Sequence, residues 1–271
     1  MRWVGIDFSG NATMWGPDCG NSNVWIAQLT GTATRPIVQA LDPVQRLPGG
    51  GHPFARLGCW LRDQVPTAVG IDAPFSIPHR HLPKRAGRKQ LLEEICRLPH
   101  DGRPFPKGCH LVAFASEIEP LQQAQPLRQT ERAWRVKGIN VRSTLWNGRA
   151  RPGAPFTVAC LKFIASTGFP CWPWQAEGQP LLVEAFPAAQ LKHWGIRAQG
   201  YHHREERREA VLARIGDRVS VPEPYFERAR SNADALDAIL CAFAAMAVAE
   251  GQLACSLPDD TQDEGWIAVH A

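Results

Sequence analysis

Five acidic residues carry most of the chemistry available to this chain. The tetrapeptide Val-Gly-Ile-Asp occurs twice, at Val4–Asp7 and at Val69–Asp72. Each copy is a short apolar run that ends on a carboxylate and breaks into a turn, Phe8-Ser9-Gly10 after the first and Ala73-Pro74-Phe75-Ser76 after the second. A carboxylate at the exit of a buried strand is costly unless something pairs with it. Two such strands side by side bring like charges together, which requires a proton or a cation between them. Glu184 ends a third apolar run, and Asp234 and Asp237 stand three residues apart in the segment Ala233-Asp234-Ala235-Leu236-Asp237-Ala238. At that spacing two helical side chains share a face, with Cβ atoms about 5–6 Å apart. The pattern reads as a metal-binding acidic centre.

Plainer roles compete at each position. Asp7 and Asp72 would satisfy local backbone donors if they were only turn residues. Glu184, three residues before Pro187, would be solvated. Asp234, three residues after Ser231, would close a capping box or complement the helix dipole. The duplicated context of Asp7 and Asp72, and the apolar neighbours of Asp237, favour the site role.

The elements that must position these acids follow from the apolar pattern. Trp3–Phe8, Val24–Leu29 and Pro36–Leu41 read as strands, Phe54–Asp63 as a helix and Ala68–Asp72 as a fourth strand. From Pro78 to about Ala154 the pattern loosens into a Pro-, Arg- and Lys-rich stretch, with helical pieces at Gly87–Leu98 and Glu119–Val136. It reads as an insertion that caps one end of the sheet. Beyond it come a helix at Phe156–Ser166, a fifth strand at Pro180–Ala185 and a helix from Pro187 to Trp194. A charged helix spans His203–Ile215, and a last one spans Asn232–Ala249 with Ser231 as its N-cap.

The 271 residues suffice for one large domain, and 44% hydrophobic with 21% charged residues is ordinary for a soluble globular protein. A net charge of +4 leans only weakly towards anionic partners. The start runs directly into a strand, so no secretory signal is expected. The apolar stretch Ala238–Ala249 is too short to span a bilayer and reads as a buried helix. Eight cysteines without a C-x-x-C pair suggest neither a zinc site nor a disulfide framework. The expectation is a cytoplasmic protein with no membrane partner.

The segments Gly5-Ile6-Asp7-Phe8-Ser9-Gly10, Gly70-Ile71-Asp72-Ala73-Pro74-Phe75-Ser76, Glu184-Ala185-Phe186-Pro187 and Asp234-Ala235-Leu236-Asp237-Ala238 resemble those of the ribonuclease H-like superfamily. More closely the chain resembles the DUF429 family, whose members are predicted nucleases of that fold. The last segment is also similar to the carboxy-terminal helix of bacterial Holliday-junction resolvases. The resemblance implies a single α/β domain over residues 1–271, with a mixed five-stranded sheet flanked by helices and the cap-like insertion at about 78–154. Its first three strands would form an antiparallel meander, and the fourth and fifth would run parallel to the first. Asp7 and Asp72 would then be neighbours, with Glu184 one strand further out and the late helix across them. Several nucleases of the superfamily carry a glutamate where this chain has Asp72.

The implied activity is divalent-metal-dependent hydrolysis of phosphodiester bonds in DNA or RNA. Two Mg²⁺ or Mn²⁺ ions about 3.5–4 Å apart would activate water and stabilise the leaving oxygen. Asp7 would bridge them, Asp72, Glu184 and Asp237 would complete their shells, and Asp234 would be a ligand or a supporting group. Hard oxygen donors favour these ions over zinc. Arg80, Lys84, Arg85 and Arg88 in the insertion, with Arg142, Arg149 and Arg151, are candidates for a phosphate-binding face, although such runs are commonly solvated surface. Gly10 and Asn11 suggest a phosphate cradle, His202 and His203 a proton-transfer role, and Trp172-Pro173-Trp174 either base stacking or loop packing. Arg204, Arg207 and Arg208 alternate with glutamates as paired charges on an exposed helix. The rival readings are an actin-like nucleotide phosphotransferase or ATPase, and a non-catalytic scaffold binding nucleic acid or protein.

Overall fold

The computed structural model describes residues 1–85, 87–122, 126–149, 152–258 and 261–271. The chain opens with a meander of β1 (Arg2–Asp7), β2 (Trp25–Thr32) and β3 (Arg35–Pro43). Helix α1 (Pro53–Gln64) then leads into β4 (Ala68–Asp72). The insertion supplies α2 (Gly87–Arg97), α3 (Gly108–Ile118) and α4 (Gln129–Val136), and α5 (Gly153–Thr167) returns the chain to β5 (Leu181–Glu184). The last part is helical, with α6 (Pro187–His193), α7 (Glu205–Ile215), α8 (Tyr225–Ser231), α9 (Ala233–Ala249) and the short α10 (Thr261–Glu264). The sheet order is β3-β2-β1-β4-β5. The first three strands are antiparallel, while β4 is parallel to both β1 and β5. This is the mixed α/β sheet expected from the sequence, and it is consistent with a ribonuclease H-like arrangement.

The pleat explains the repeated tetrapeptide. Successive side chains of a strand point to opposite faces. Val4, Ile6, Val69 and Ile71 pack on one face with residues of α1 and α5 such as Phe54, Leu57 and Phe163. Gly5 and Gly70 pair with each other and lie on the other face, where α9 crosses. A Cβ on Gly5 would collide with the carbonyl of Ala238, and one on Gly70 with that of Cys241. Two glycines side by side therefore let the backbone of α9 lie directly on the strands. The helix itself is buried almost throughout, from Ala235 to Ala247.

The helices differ from expectation in several places. The helix anticipated over Glu119–Val136 is confined to Gln129–Val136; Pro120 and Pro126 interrupt the segment, and 123–125 lie outside the described residues. Helices α3 and α8 carry no strong signal of their own in the sequence. Ser231 ends α8, and Asn232 caps α9 in its place, its Oδ1 accepting from the N–H groups of Asp234 (2.8 Å) and Ala235 (3.2 Å). The insertion is fastened by its own apolar cluster, in which Leu91, Ile95 and Leu111 meet Val158 and Leu161 of α5. Among the described residues no single helix is long and apolar enough to cross a membrane.

Candidate active site

The register places Asp7 opposite Asp72 at the exits of adjacent parallel strands. Both follow the parity of the paired glycines, so both face α9. Asp234 in the first turn of α9, and Asp237 one turn deeper, meet them from the helix side. The approach is close enough for Asp237, Asp72 and Asp234 all to act on the charge of Asp7.

Burial dominates the electrostatics of this layer. Asp7 is 8% exposed and Asp237 4%. Desolvation first, then repulsion from Asp237, Asp72 and Asp234, holds Asp7 well above the usual carboxylate range. Asp72 is pushed up to about 7 by burial and by the charges of Glu184 and Asp234. Asp237 is also raised, by burial and Asp72, although the Tyr201 hydroxyl donates to its Oδ1 at 2.7 Å and opposes the shift. Asp234 is raised by burial against the hydrogen bond from Asp7 and the charge of Arg208.

Glu184 reaches the strand ends from the opposite face of the sheet, and the register says why. It pairs with Ile71, one position short of Asp72. It therefore has the parity of Leu182, which points to the face opposite α9. There the guanidinium of Arg128 grips both its oxygens, at 2.8 and 2.5 Å, and the Phe75 N–H donates at 3.0 Å. Arg128 is 1% exposed; it also binds Glu131 at 3.1 Å and the Glu264 carbonyl at 3.4 Å. The Glu264 carboxylate in turn accepts from the N–H groups of His79 and Gln129. Glu184 thus anchors the insertion to the sheet.

A cleft of about 550 Å³ opens over the strand ends. Asp72, Asp234 and Glu184 form its acidic floor, and Arg142, Asn140 and His202 lie among its other polar lining residues. Phe156, Phe186, Val141 and Ile267 make apolar walls. His202 Nδ1 stands 3.8 Å from Asp237 Oδ2. The turn after Asp7 has no room to spare: an added Cβ on Gly10 would lie 2.5 Å from the Phe156 nitrogen at the start of α5. Gly10 therefore serves close packing rather than a phosphate cradle, and Asn11 caps the next turn through Thr13 N.

The basic candidates separate into two places. Arg80, Lys84 and Arg88 line a groove of about 710 Å³ with Lys89, His79 and Trp174. Arg85 is exposed in the turn after Lys84, but it is not among the residues lining that groove. Arg142 lines the acidic cleft, Arg149 is exposed and Arg151 lies outside the described residues. Arg80 pairs with Glu119 at 3.4 Å, and Arg88 stacks 3.8 Å from the centre of the Trp174 ring while donating to the Phe75 carbonyl. Trp172 is packed in the core. Arg208 corrects the reading of α7 as an exposed charged helix. It is 7% exposed and donates to the carbonyls of Tyr201, Arg230 and Ser231, which fixes the Tyr201 loop against the start of α9.

The model of a family described as "Protein of unknown function (DUF429)" matches residues 5–263. The chain belongs to the DUF429 family. No curated protein and no solved structure matches it. The match takes in the first Val-Gly-Ile-Asp copy from Gly5 on, the whole of the second, the insertion and α9, so all four aspartates of the acidic layer lie within the family's shared region.

The donor set suits a hard divalent cation. Its atoms are carboxylate oxygens, and each of the four aspartates is raised by desolvation, a cost that a bound cation would offset. Among the described residues no three His, Cys, Asp or Glu side chains already stand in ligating arrangement. Asp7, Asp72, Asp237 and Asp234 are the side chains that would have to close on such an ion. Sequence reasoning missed Arg128 and Glu264, whose partners lie far away along the chain, and Glu131, which joins them only through Arg128.

Proposed function

We propose that this DUF429 protein is a divalent-metal-dependent hydrolase of phosphodiester bonds in nucleic acid. The observation that carries the reading is the in-register pairing of Asp7 and Asp72 on parallel strands, with Asp237 and Asp234 laid across them by α9. Asp7, Asp72 and Asp237 would hold Mg²⁺ or Mn²⁺, with Asp234 as a further ligand or a supporting group. A bound cation supplies a nucleophilic water at neutral pH and compensates charge on the phosphate.

The remaining work falls to the protein. Tyr201 holds Asp237 by its Oδ1 and so fixes the rotamer of the deepest acid. His202, 45% exposed at the cleft and near the other oxygen of Asp237, is placed to take or give a proton. The apolar walls limit water around the reacting phosphate. Glu184 and Arg128 keep the insertion closed over the floor.

A ligand role for Asp72 and an anchoring role for Glu184 make different demands. Asp72→Asn should abolish Mn²⁺-stimulated hydrolysis and Mn²⁺ binding. Glu184→Gln should lower stability yet keep Mn²⁺ binding, as followed by the loss of free-Mn²⁺ paramagnetic signal. Equal loss of binding in both variants would return Glu184 to the ligand set.

A further inference from the structure

The cleft restricts what can reach the acidic floor. Its volume of about 550 Å³ lies within the roughly 300–1,000 Å³ typical of cavities that enclose one small organic molecule. That is room for a nucleotide and not for a base pair with both backbones. The insertion above it is not a loose flap. Arg128, 1% exposed, ties it to Glu184 on β5 by two hydrogen bonds, and Glu264 ties His79 to the start of α4. Widening the cleft to admit a duplex would separate a buried ion pair, which is strongly unfavourable.

The walls are also of the kind that accept a base. Phe156 and Phe186 are both half-buried and both line the cleft. Aromatic faces bind any base by stacking, without sequence preference. Phe156 is held in place because the Gly10 turn after β1 packs against its backbone nitrogen. The same turn follows Asp7, so a base on Phe156 would have its phosphate near the acidic layer. Arg142 and Asn140 lie in the same cleft, beside the route a strand would take.

We propose that the cleft takes unpaired nucleic acid, one nucleotide at a time, with a base stacked on Phe156 and its phosphate over Asp72 and Asp234. The reading of the acidic layer as hydrolytic supplies only the role of the floor. Selection of unpaired strands rests on the cleft itself.

Binding tests this apart from catalysis. Fluorescence anisotropy in Ca²⁺ would compare a labelled single-stranded oligonucleotide, the same sequence as a blunt duplex, and competition by a mononucleotide. The single strand should bind at least about tenfold more tightly than the duplex, and the mononucleotide should displace it. Phe156→Leu, which keeps apolar bulk but removes the aromatic face, should weaken single-strand binding by about fivefold or more. Phe156→Trp should restore it. Equal binding of duplex and single strand would overturn the proposal, as would Leu and wild-type proteins of equal affinity. Absence of hydrolysis with this binding pattern intact would remove the hydrolase reading and leave the pocket assignment standing.

Discussion

At the scale of residues, burial and mutual repulsion raise the carboxyls of the acidic layer. Asp72 is pushed up to about 7, and Asp7 and Asp237 are held well above the usual carboxylate range. A carboxyl whose pKa rises on folding binds more protons folded than unfolded between its unfolded and folded values, so its contribution is full below the lower and is lost as pH climbs through the higher. The metal-free protein should therefore lose melting temperature between about pH 5 and about pH 8, and Mg²⁺ should restore more of it at the higher pH. Thermal melts with chelator and with Mg²⁺ across that range check this; a Mg²⁺ effect independent of pH would count against it. The Arg128 pair makes a second prediction. Arg128→Met leaves Glu184 buried and unpaired and should cost about 3–5 kcal/mol by urea unfolding, while adding Glu184→Leu should recover most of the loss. Asp7 and Asp72 were legible in the sequence because the tetrapeptide repeats. Arg128 was not, since its partner is 56 residues away and a single chain carries no pairing information.

Elements decide whether those residues meet. The flat contact between α9 and the β1–β4 pair depends on Gly5 and Gly70, where any side chain would strike helix backbone. Overpacking a core costs about 1–3 kcal/mol where side chains can yield, and backbone yields less. Gly70→Ala should therefore reach or exceed the upper end of that range in urea unfolding. In the surviving folded fraction it should weaken Mn²⁺ binding, because a shifted α9 carries Asp234 and Asp237 away; unchanged affinity would separate the helix from the site. Asn232→Ala removes the cap of α9 and should cost about 1 kcal/mol. The strands and their order followed from the apolar runs and the resemblance. The direction of Glu184 did not, because a one-residue register against β4 sets its face, and one strand's sequence contains no register.

The whole molecule presents two separate polar surfaces, and its modest net charge of +4 conceals both. One is the acid-floored cleft, the other the groove lined by Arg80, Lys84 and Arg88. A strand seated in the cleft would gain phosphate contacts if it continued along that groove. Lys84→Ala with Lys89→Ala should then weaken single-strand binding and flatten its salt dependence by about 0.7 per lost phosphate contact on a log–log plot. An unchanged slope would mean the groove is only solvated surface. The sequence suggested one basic face. The fold divided it, because the loops between α4 and α5 bring Arg142 to the cleft over the strand ends while α2 carries Arg88 to the Phe75 carbonyl and into the other groove.

Phosphodiester hydrolysis by Asp7 and its neighbours can be read by incubating single-stranded, double-stranded and branched DNA, RNA and an RNA–DNA hybrid with Mn²⁺ or Mg²⁺ and either wild type or Asp7→Asn, purified identically. Wild type should cleave the unpaired substrates only with the metal, and Asp7→Asn, still folded, should cleave none. Equal cleavage by both proteins, or none by either, would sink the hydrolase proposal.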